Sequence, residues 1–332
     1  MILITGATGF VGGTLARRLL ERALPVRILV RHPERAAPLC ALGAEQRTGD
    51  VRDPAAVLDA AAGATHVVHC AALSAPWGRR SDFVEVNVDG TTNVVAACLA
   101  RRVRRLVHVS SPSVTFDGRD QRNLTEAAPY PARFISTYSW SKKLAEDVVR
   151  NAANEGLDAT ILRPKAIFGP GDTTLVPRLL AAARQGRLRQ IGDGANRVDL
   201  TYVDNVAAAI ERALDAPAAA GRTYTITNDE HPALWEVIRQ LLDRCDGGEG
   251  RQARALPRVS VRGALAAAAL MEARARLLGG EPALTRYAVL ILARSQTYDI
   301  AAARRDLGYT PEVSLADGIE RTITALASSG AA

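Results

Sequence analysis

The chain has 332 residues, 48% of them hydrophobic, and a net charge of +7. This suffices for one large domain or two closely joined ones with an ample core. The positive charge is spread along the chain without a recognition motif or interleaved aromatics, which argues against a nucleic-acid partner. The longest apolar runs, Gly263 to Met271 and Tyr287 to Ala293, fall far short of the roughly 20 residues that cross a bilayer.

In chain order, Ile2 to Thr5 reads as a buried strand, Gly6 to Gly12 as a turn, and an apolar-periodic helix follows to about Arg22. Further strands are expected at Val26 to Val30, near 44–48, at Thr65 to Ala71, at Arg105 to Ser110 and at Asp158 to Leu162. Long helices are expected over about 82–101 and from the Tyr138 segment to about Asn154. Arg101-Arg102-Val103-Arg104-Arg105 reads as a solvated turn between helix and strand. Short, continuous apolar strands alternating with helices indicate an α/β fold, a doubly wound Rossmann-type parallel sheet. After Arg163-Pro164 the pattern changes. A loop at Phe168 to Asp172 precedes helices near 175–186 and 233–245, a strand at Thr223 to Thr227, and a flexible break at Gly247-Gly248-Glu249-Gly250. The rest is mainly helical and has too few strands for its own sheet, so it is expected to form a smaller C-terminal cap.

Cys40, Cys70, Cys98 and Cys245 are widely spaced and make no metal-ligand pattern with the five histidines. Cys70 reads as a buried thiol in a strand. No metal site is expected. A reducing cytoplasm fits this cysteine usage, as does a strand that opens at residue 2 where a leader would stand.

Gly6-x-x-Gly9-x-x-Gly12 lies between the first strand and the first helix. Glycine permits a tight turn and close backbone approach to a pyrophosphate, and the helix N-terminus offers free N–H groups. Gly6, Thr8, Gly9, Phe10, Val11 and Gly12 are therefore candidate cofactor contacts. The second strand should end on the residue that reads the adenosine ribose. Arg31 stands there, with Arg35 close behind, and arginine suits a 2′-phosphate, which favours NADP over NAD. Residues 1–164, with return segments near 196–227, read as the dinucleotide-binding domain. Residues 165–195 and 228–330 read as the substrate cap.

Only three of the 42 basic residues are lysines: Lys142, Lys143 and Lys165. Arginine cannot easily replace a compact ammonium that tunes proton chemistry. Lys142 lies four residues after Tyr138, on the same helical face, where it can approach the phenol. A nearby cation would lower the phenol from its free value of about 10, so that Tyr138 could act as general acid or base.

Seven pieces in order, Thr5-Gly6-Ala7-Thr8-Gly9-Phe10-Val11-Gly12, Gly49-Asp50-Val51, His69-Cys70-Ala71-Ala72, Asn87-Val88-Asp89-Gly90-Thr91, Val109-Ser110-Ser111, Tyr138 with Lys142, and Arg163-Pro164, resemble the extended short-chain dehydrogenase/reductase family over essentially the full length. The resemblance implies Ser111 as the serine that holds the substrate oxygen, with Ser110 and then Ser113 as fallbacks. It implies Lys142 on the nicotinamide ribose, Asp50 and Val51 along the adenine, Ala71 and Ala72 in the cofactor channel, and Pro164 and Ile167 beside the nicotinamide. Asn87 is expected to brace a helix against the sheet, with proton relay as the alternative.

Ser74-Ala75-Pro76-Trp77-Gly78, Ser110 to Val114, Arg163 to Asp172 and Glu281 to Arg286 are most similar to the 3β-hydroxysteroid dehydrogenase branch, near bacterial 2-alkyl-3-keto acid reductases and sterol 4-carboxylate 3-dehydrogenases. The expected activity is ketone and secondary-alcohol interconversion on a small apolar substrate, a 3-keto or 3-hydroxy acid or a 3-hydroxysteroid. Ser74, Trp77 and Ser113 are candidate substrate contacts, and Lys165 or Arg197 could hold a substrate carboxylate. A nucleotide-sugar epimerase or dehydratase and a non-catalytic dinucleotide sensor are the alternatives. The complete set of Ser111, Tyr138 and Lys142 argues against the sensor. The family often pairs through helices equivalent to 82–101 and 137–154, so a homodimer is expected.

Overall fold

The computed structural model describes residues 1–245 and 256–328. The break expected at Gly247 to Gly250 lies outside the described residues. The first half alternates β1 (Ile2–Thr5), α1 (Phe10–Glu21), β2 (Val26–Val30), β3 (Glu45–Thr48), β4 (His66–His69), α2 (Gly90–Ala100), β5 (Arg105–Val109), α3 (Thr137–Asn154) and β6 (Ala159–Pro164). The second half adds α4 (Val176–Arg184), α5 (Val203–Asp215), β7 (Thr223–Ile226), α6 (Leu234–Cys245), α7 (Val261–Leu278), α8 (Arg286–Ala293) and α9 (Leu315–Ser328).

The seven strands form one sheet in the order β7-β6-β5-β4-β1-β2-β3, and every pairing is parallel. The order reverses between β1 and β4, so the crevice that takes ligands in this architecture opens beyond their C-terminal ends. Successive strand residues point to opposite faces, and both faces are apolar because both are covered. Ile4, Ile28, Val68 and Leu162 pack with Leu15 and Leu19 of α1 and Val206 and Ile210 of α5. Leu3, Val67, Leu106 and Ile161 pack on the other face with Val94 and Cys98 of α2 and Val149 of α3.

Several local expectations change. The helix expected over 82–101 is interrupted by a π-helical turn at Val84–Asp89. That wide turn, a form common at functional positions, delivers Asn87 to a buried post. Its Oδ1 accepts from the Leu73 amide at 2.7 Å, and its Nδ2 donates to the Leu73 carbonyl at 3.1 Å and to Ser141 Oγ at 2.9 Å. Asn87 thus ties the loop after β4 to α3. The strand at β4 ends at His69, so Cys70 lies just past it, packed against the core, and burial pushes its thiol up as expected of a buried cysteine. Arg105 is no solvated turn residue. It is buried, with Nε and Nη2 on Asp158 at 2.9 and 2.8 Å. The Phe168 to Asp172 loop begins with a two-residue strand, Ile167–Phe168, beside Thr201–Tyr202, and Asp172 accepts from the amides of Thr174, Leu175 and Val176 to start α4.

The C-terminal part is helical and stitched to the rest by short parallel pairs. Gln296–Tyr298 pairs with Gln121–Leu124, and Arg258–Val259 with Gln190–Ile191. Ala264 and Ala268 of α7 pack with Trp235, Ile238 and Val289. The apolar run from Gly263 to Met271 splits, since Ala264 and Ala268 face this core while Leu270 and Met271 are exposed, as are Leu277 and Leu278 beyond it.

α3 is fixed to the sheet by a buried ion pair. Glu146 accepts from Arg163 Nε at 2.8 Å and Nη2 at 2.6 Å, and from the Tyr130 hydroxyl at 2.7 Å. Both partners are nearly inaccessible, at 0% and 3% for the side chains. Removing one partner of such a pair leaves an uncompensated buried charge. Glu146→Gln is therefore expected to cost about 3–5 kcal/mol in urea unfolding; a loss below about 1 kcal/mol would contradict this.

Candidate active site

The glycine turn has the shape that a dinucleotide pyrophosphate needs. Gly6 has φ of 73°, and a Cβ there would lie 2.6 Å from the Ala71 amide nitrogen. A Cβ on Gly12 would lie 2.4 Å from the Gly6 carbonyl oxygen. Both positions need glycine, the first for its left-handed φ and its approach to the segment after β4, the second for approach to the turn. Gly9 is the N-cap of α1, with no side-chain cap and no acid in the first turn. The free amides and positive end of a 12-residue helix thus face the crevice. Thr8 is exposed, and Phe10 and Val11 are half-buried beside it. Ala71 and Ala72 are half-buried across the crevice, and Val51 is buried at its adenine-side end.

Tyr138 stands in the first turn of α3, after the N-cap Ser136, whose hydroxyl accepts from the Ser139 amide at 3.0 Å. The Ser111 and Ser74 hydroxyls lie close to its phenol. Three segments, after β5, after β4 and at the head of α3, thus meet there. Burial is the main influence on the phenol and pushes it above its ordinary value, and the nearby Tyr287 adds to this. The two serines pull the other way. The depression by Lys142 expected from the i, i+4 spacing is absent from the protein alone.

The reason lies in where the ammonium goes. Lys142 is buried, and its Nζ donates to the Val109 carbonyl at 2.8 Å and lies 3.2 Å from His108 Nε2. Burial, partly offset by Glu146, brings it from 10.5 down to about 8. His108 is itself held well below its usual range, first by burial and then by Lys142, so the neutral ring can accept from the ammonium. Sequence reading missed His108; a histidine within an otherwise apolar strand was the available signal.

Tyr138 lines a cleft of about 480 Å³ between the sheet domain and α7–α8. Trp77 lines it too, with Phe83, Ile135, Tyr287 and several arginines. Ser113 is buried, and its hydroxyl has no hydrogen-bond partner among the described residues. Ser111 is half-buried, and its Oγ also accepts from the Ser113 amide at 3.2 Å. Ser110 is buried, with its amide on the Leu162 carbonyl at 2.6 Å. Pro164 is buried at the end of β6, and Ile167 is half-buried just beyond it. The two basic residues expected to hold a carboxylate are elsewhere. Lys165 is buried with Nζ on Gln296 Oε1 at 2.6 Å, and Arg197 donates to the His231 carbonyl at 2.6 Å. Neither lines the cleft with Tyr138. Arg31 is exposed at the end of β2, 3.9 Å from Asp50, whose carboxylate is already held by Arg52 at 2.8 Å. No group of residues able to hold a metal ion occurs among the described residues, and no helix among them is long and apolar enough to cross a membrane.

Residues 3–258 match the 3-beta hydroxysteroid dehydrogenase/isomerase family, and the chain belongs to it. It is an oxidoreductase of the extended short-chain dehydrogenase/reductase type. Among its relatives, a 2-alkyl-3-oxoalkanoate reductase of Stenotrophomonas maltophilia is 41% identical, covering 96% of this chain and 97% of that protein. A decarboxylating sterol-4-alpha-carboxylate 3-dehydrogenase of Saccharomyces cerevisiae is 35% identical over 97% and 96%. In structure, a dTDP-glucose 4,6-dehydratase double mutant from Streptomyces venezuelae with NAD bound superposes with a TM-score of 0.77 at 27% identity, covering 98% and 97%.

The depressed lysine has a measurable consequence. A folded value of about 8 against 10.5 means that the unfolded chain binds the extra proton between those values. Below about pH 8 the penalty is fully present, and stability from this group rises as the pH climbs to 10.5. Lys142→Met abolishes that rise. Relative to wild type, it should lose roughly 3 kcal/mol between pH 8 and 10.5 in urea unfolding; a wild-type-to-variant difference that stays constant with pH would refute it.

Proposed function

We propose that the chain interconverts a ketone and a secondary alcohol on a 3-oxo or 3-hydroxy substrate, with a nicotinamide dinucleotide as the hydride carrier. The observation that carries this is the phenol of Tyr138, set beside the Ser111 and Ser74 hydroxyls at the wall of a cleft beyond the glycine turn. In this reading residues 1–164, with return segments near 196–227, hold the dinucleotide, and residues 165–195 and 228–330 shape the substrate side. A bound nicotinamide would donate the hydride to the carbonyl carbon, or take it back from the alcohol carbon.

Every other task falls to side chains of this chain. The amides at Gly9 to Gly12 hold the pyrophosphate, and Pro164 and Ile167 flank the nicotinamide. Asp50 and Val51 lie along the adenine, with Ala71 and Ala72 in the channel. Ser111 orients the substrate oxygen, and Tyr138 gives that oxygen its proton in reduction or removes it in oxidation. Lys142, already desolvated, needs only to leave His108 to serve the nicotinamide ribose and the phenolate. Its value of about 8 lets it shed or hold a proton near neutral pH. Ser74 and Trp77 contact the substrate. Tyr138→Phe is expected to cut turnover at least 1,000-fold while leaving dinucleotide binding within about twofold, order-of-magnitude limits set by the loss of one proton-transfer group. Turnover near wild type would overturn the role.

The exposed guanidinium of Arg31 supports NADP as the preferred form, since its one acidic neighbour is already paired with Arg52. Arg31→Ala should weaken NADPH binding by about 10-fold or more and leave NADH binding little changed, measured by fluorescence titration. Equal loss for both, or tighter NADH binding by wild type, would reverse the preference. A homodimer through the outer faces of α2 and α3, where Leu99 is exposed, belongs to this reading and is checked by sedimentation velocity. A nucleotide-sugar epimerase or dehydratase is the second reading, favoured by the arginines in the cleft, and turnover of UDP- or dTDP-sugars distinguishes it.

A further inference from the structure

The cleft beside Tyr138 carries unbalanced positive charge. Arg79, Arg80, Arg276 and Arg286 line it, against one carboxylate, Glu272. Glu272 is already satisfied. It takes the Arg286 amide at 2.7 Å on one oxygen and Arg286 Nε at 2.9 Å on the other. Arg79 is held by Asp82 at 3.0 Å. That leaves Arg80, which forms no ion pair among the described residues, and Arg276, which comes no nearer than 3.9 Å to Glu272.

Both remaining guanidiniums lie over tryptophans. Arg80 Cζ is 3.8 Å from the Trp140 ring centroid, and Arg276 Cζ is 5.5 Å from that of Trp77. In a chain this rich in arginine, an arginine in a cleft means little by itself. Using two of the chain's three tryptophans as platforms under the two arginines least engaged by carboxylates is a different matter. A ring under the flat face orients a guanidinium and leaves its N–H edge free for a planar anion. The platforms are also tied to the reacting centre. Trp140 is two residues from Tyr138 on α3, and Trp77 is three residues from Ser74 in the loop after β4.

We infer that Arg80 and Arg276, stacked on Trp140 and Trp77, form an anion site that takes the carboxylate of the substrate. This rests on the ketone and alcohol reading and narrows it to 3-oxo and 3-hydroxy acids, as opposed to neutral ketones and sterols. Each fork matches one carboxylate, and Phe83 and Ile135 in the same cleft offer apolar surface to the acid's alkyl part.

The test compares oxidation of a 2-alkyl-3-hydroxy acid with that of its methyl ester, using wild type, Arg80→Gln and Arg276→Gln. Decanoate, a carboxylate that cannot react, is titrated calorimetrically into the same proteins and into Tyr138→Phe, with UDP as a diphosphate control. The acid-to-ester ratio of kcat/KM should fall about 10- to 100-fold in each arginine variant. Decanoate binding should weaken by a similar factor in those variants and persist in Tyr138→Phe. Equal losses for acid and ester, or decanoate binding that ignores both substitutions, would overturn the site. So would UDP binding tighter than decanoate and dependent on the same arginines. If wild type turns over neither acid nor ester while decanoate binding depends on both arginines, the site stands and the reaction assignment falls.

Discussion

Much of the architecture around the site depends on one buried contact, the pair between Glu146 on α3 and Arg163 on β6. Two charges taken out of water repay their desolvation only with close geometry and further hydrogen bonds. This pair has both, through two guanidinium contacts and the Tyr130 hydroxyl. It fixes the rotation and height of α3 against the sheet. Tyr138 and Lys142 sit two turns and one turn before Glu146 on that helix, so their placement over the ends of β4 and β5 follows from it. Asn87, through Ser141, adds a second tether on the same helix.

Burial then governs the chemistry more than charge pairing does. It raises the Tyr138 phenol, lowers Lys142 to about 8 and holds His108 neutral, all in the same direction toward uncharged forms. In the proposed reaction the phenol needs a nearby cation, and Lys142, desolvated and bonded to a backbone carbonyl and a ring nitrogen, is the side chain that would supply it. The serines around the phenol give it direction before any cation does.

The parts legible in the sequence are those in which chemistry and local backbone share a short segment. Gly6 and Gly12 announce a tight turn because only glycine tolerates the approach distances found there. Tyr138 and Lys142 announce a shared helical face through their spacing. The parallel sheet was readable from short apolar strands alternating with helices. The helix expected over 82–101 runs from Arg80 to Ala100, but its π turn at Val84–Asp89 was not legible, because apolar periodicity does not distinguish a π turn from an α turn. Lys165 and Arg197 were misplaced because a lysine's rarity says nothing about where its chain neighbours carry it.

The sequence by itself determined the class of fold, the glycine turn and the shared helical face of Tyr138 and Lys142, since each is set by contacts within about one helical turn or one strand-to-helix junction. Tertiary structure alone decided the direction in which Tyr138 and Lys142 titrate, because desolvation is a property of everything packed around a group. It alone also decided which arginines meet the cleft. Arg80 and Arg276 lie nearly 200 residues apart, and only the packing of α7 and α8 against the loop after β4 brings both to the wall that carries Tyr138.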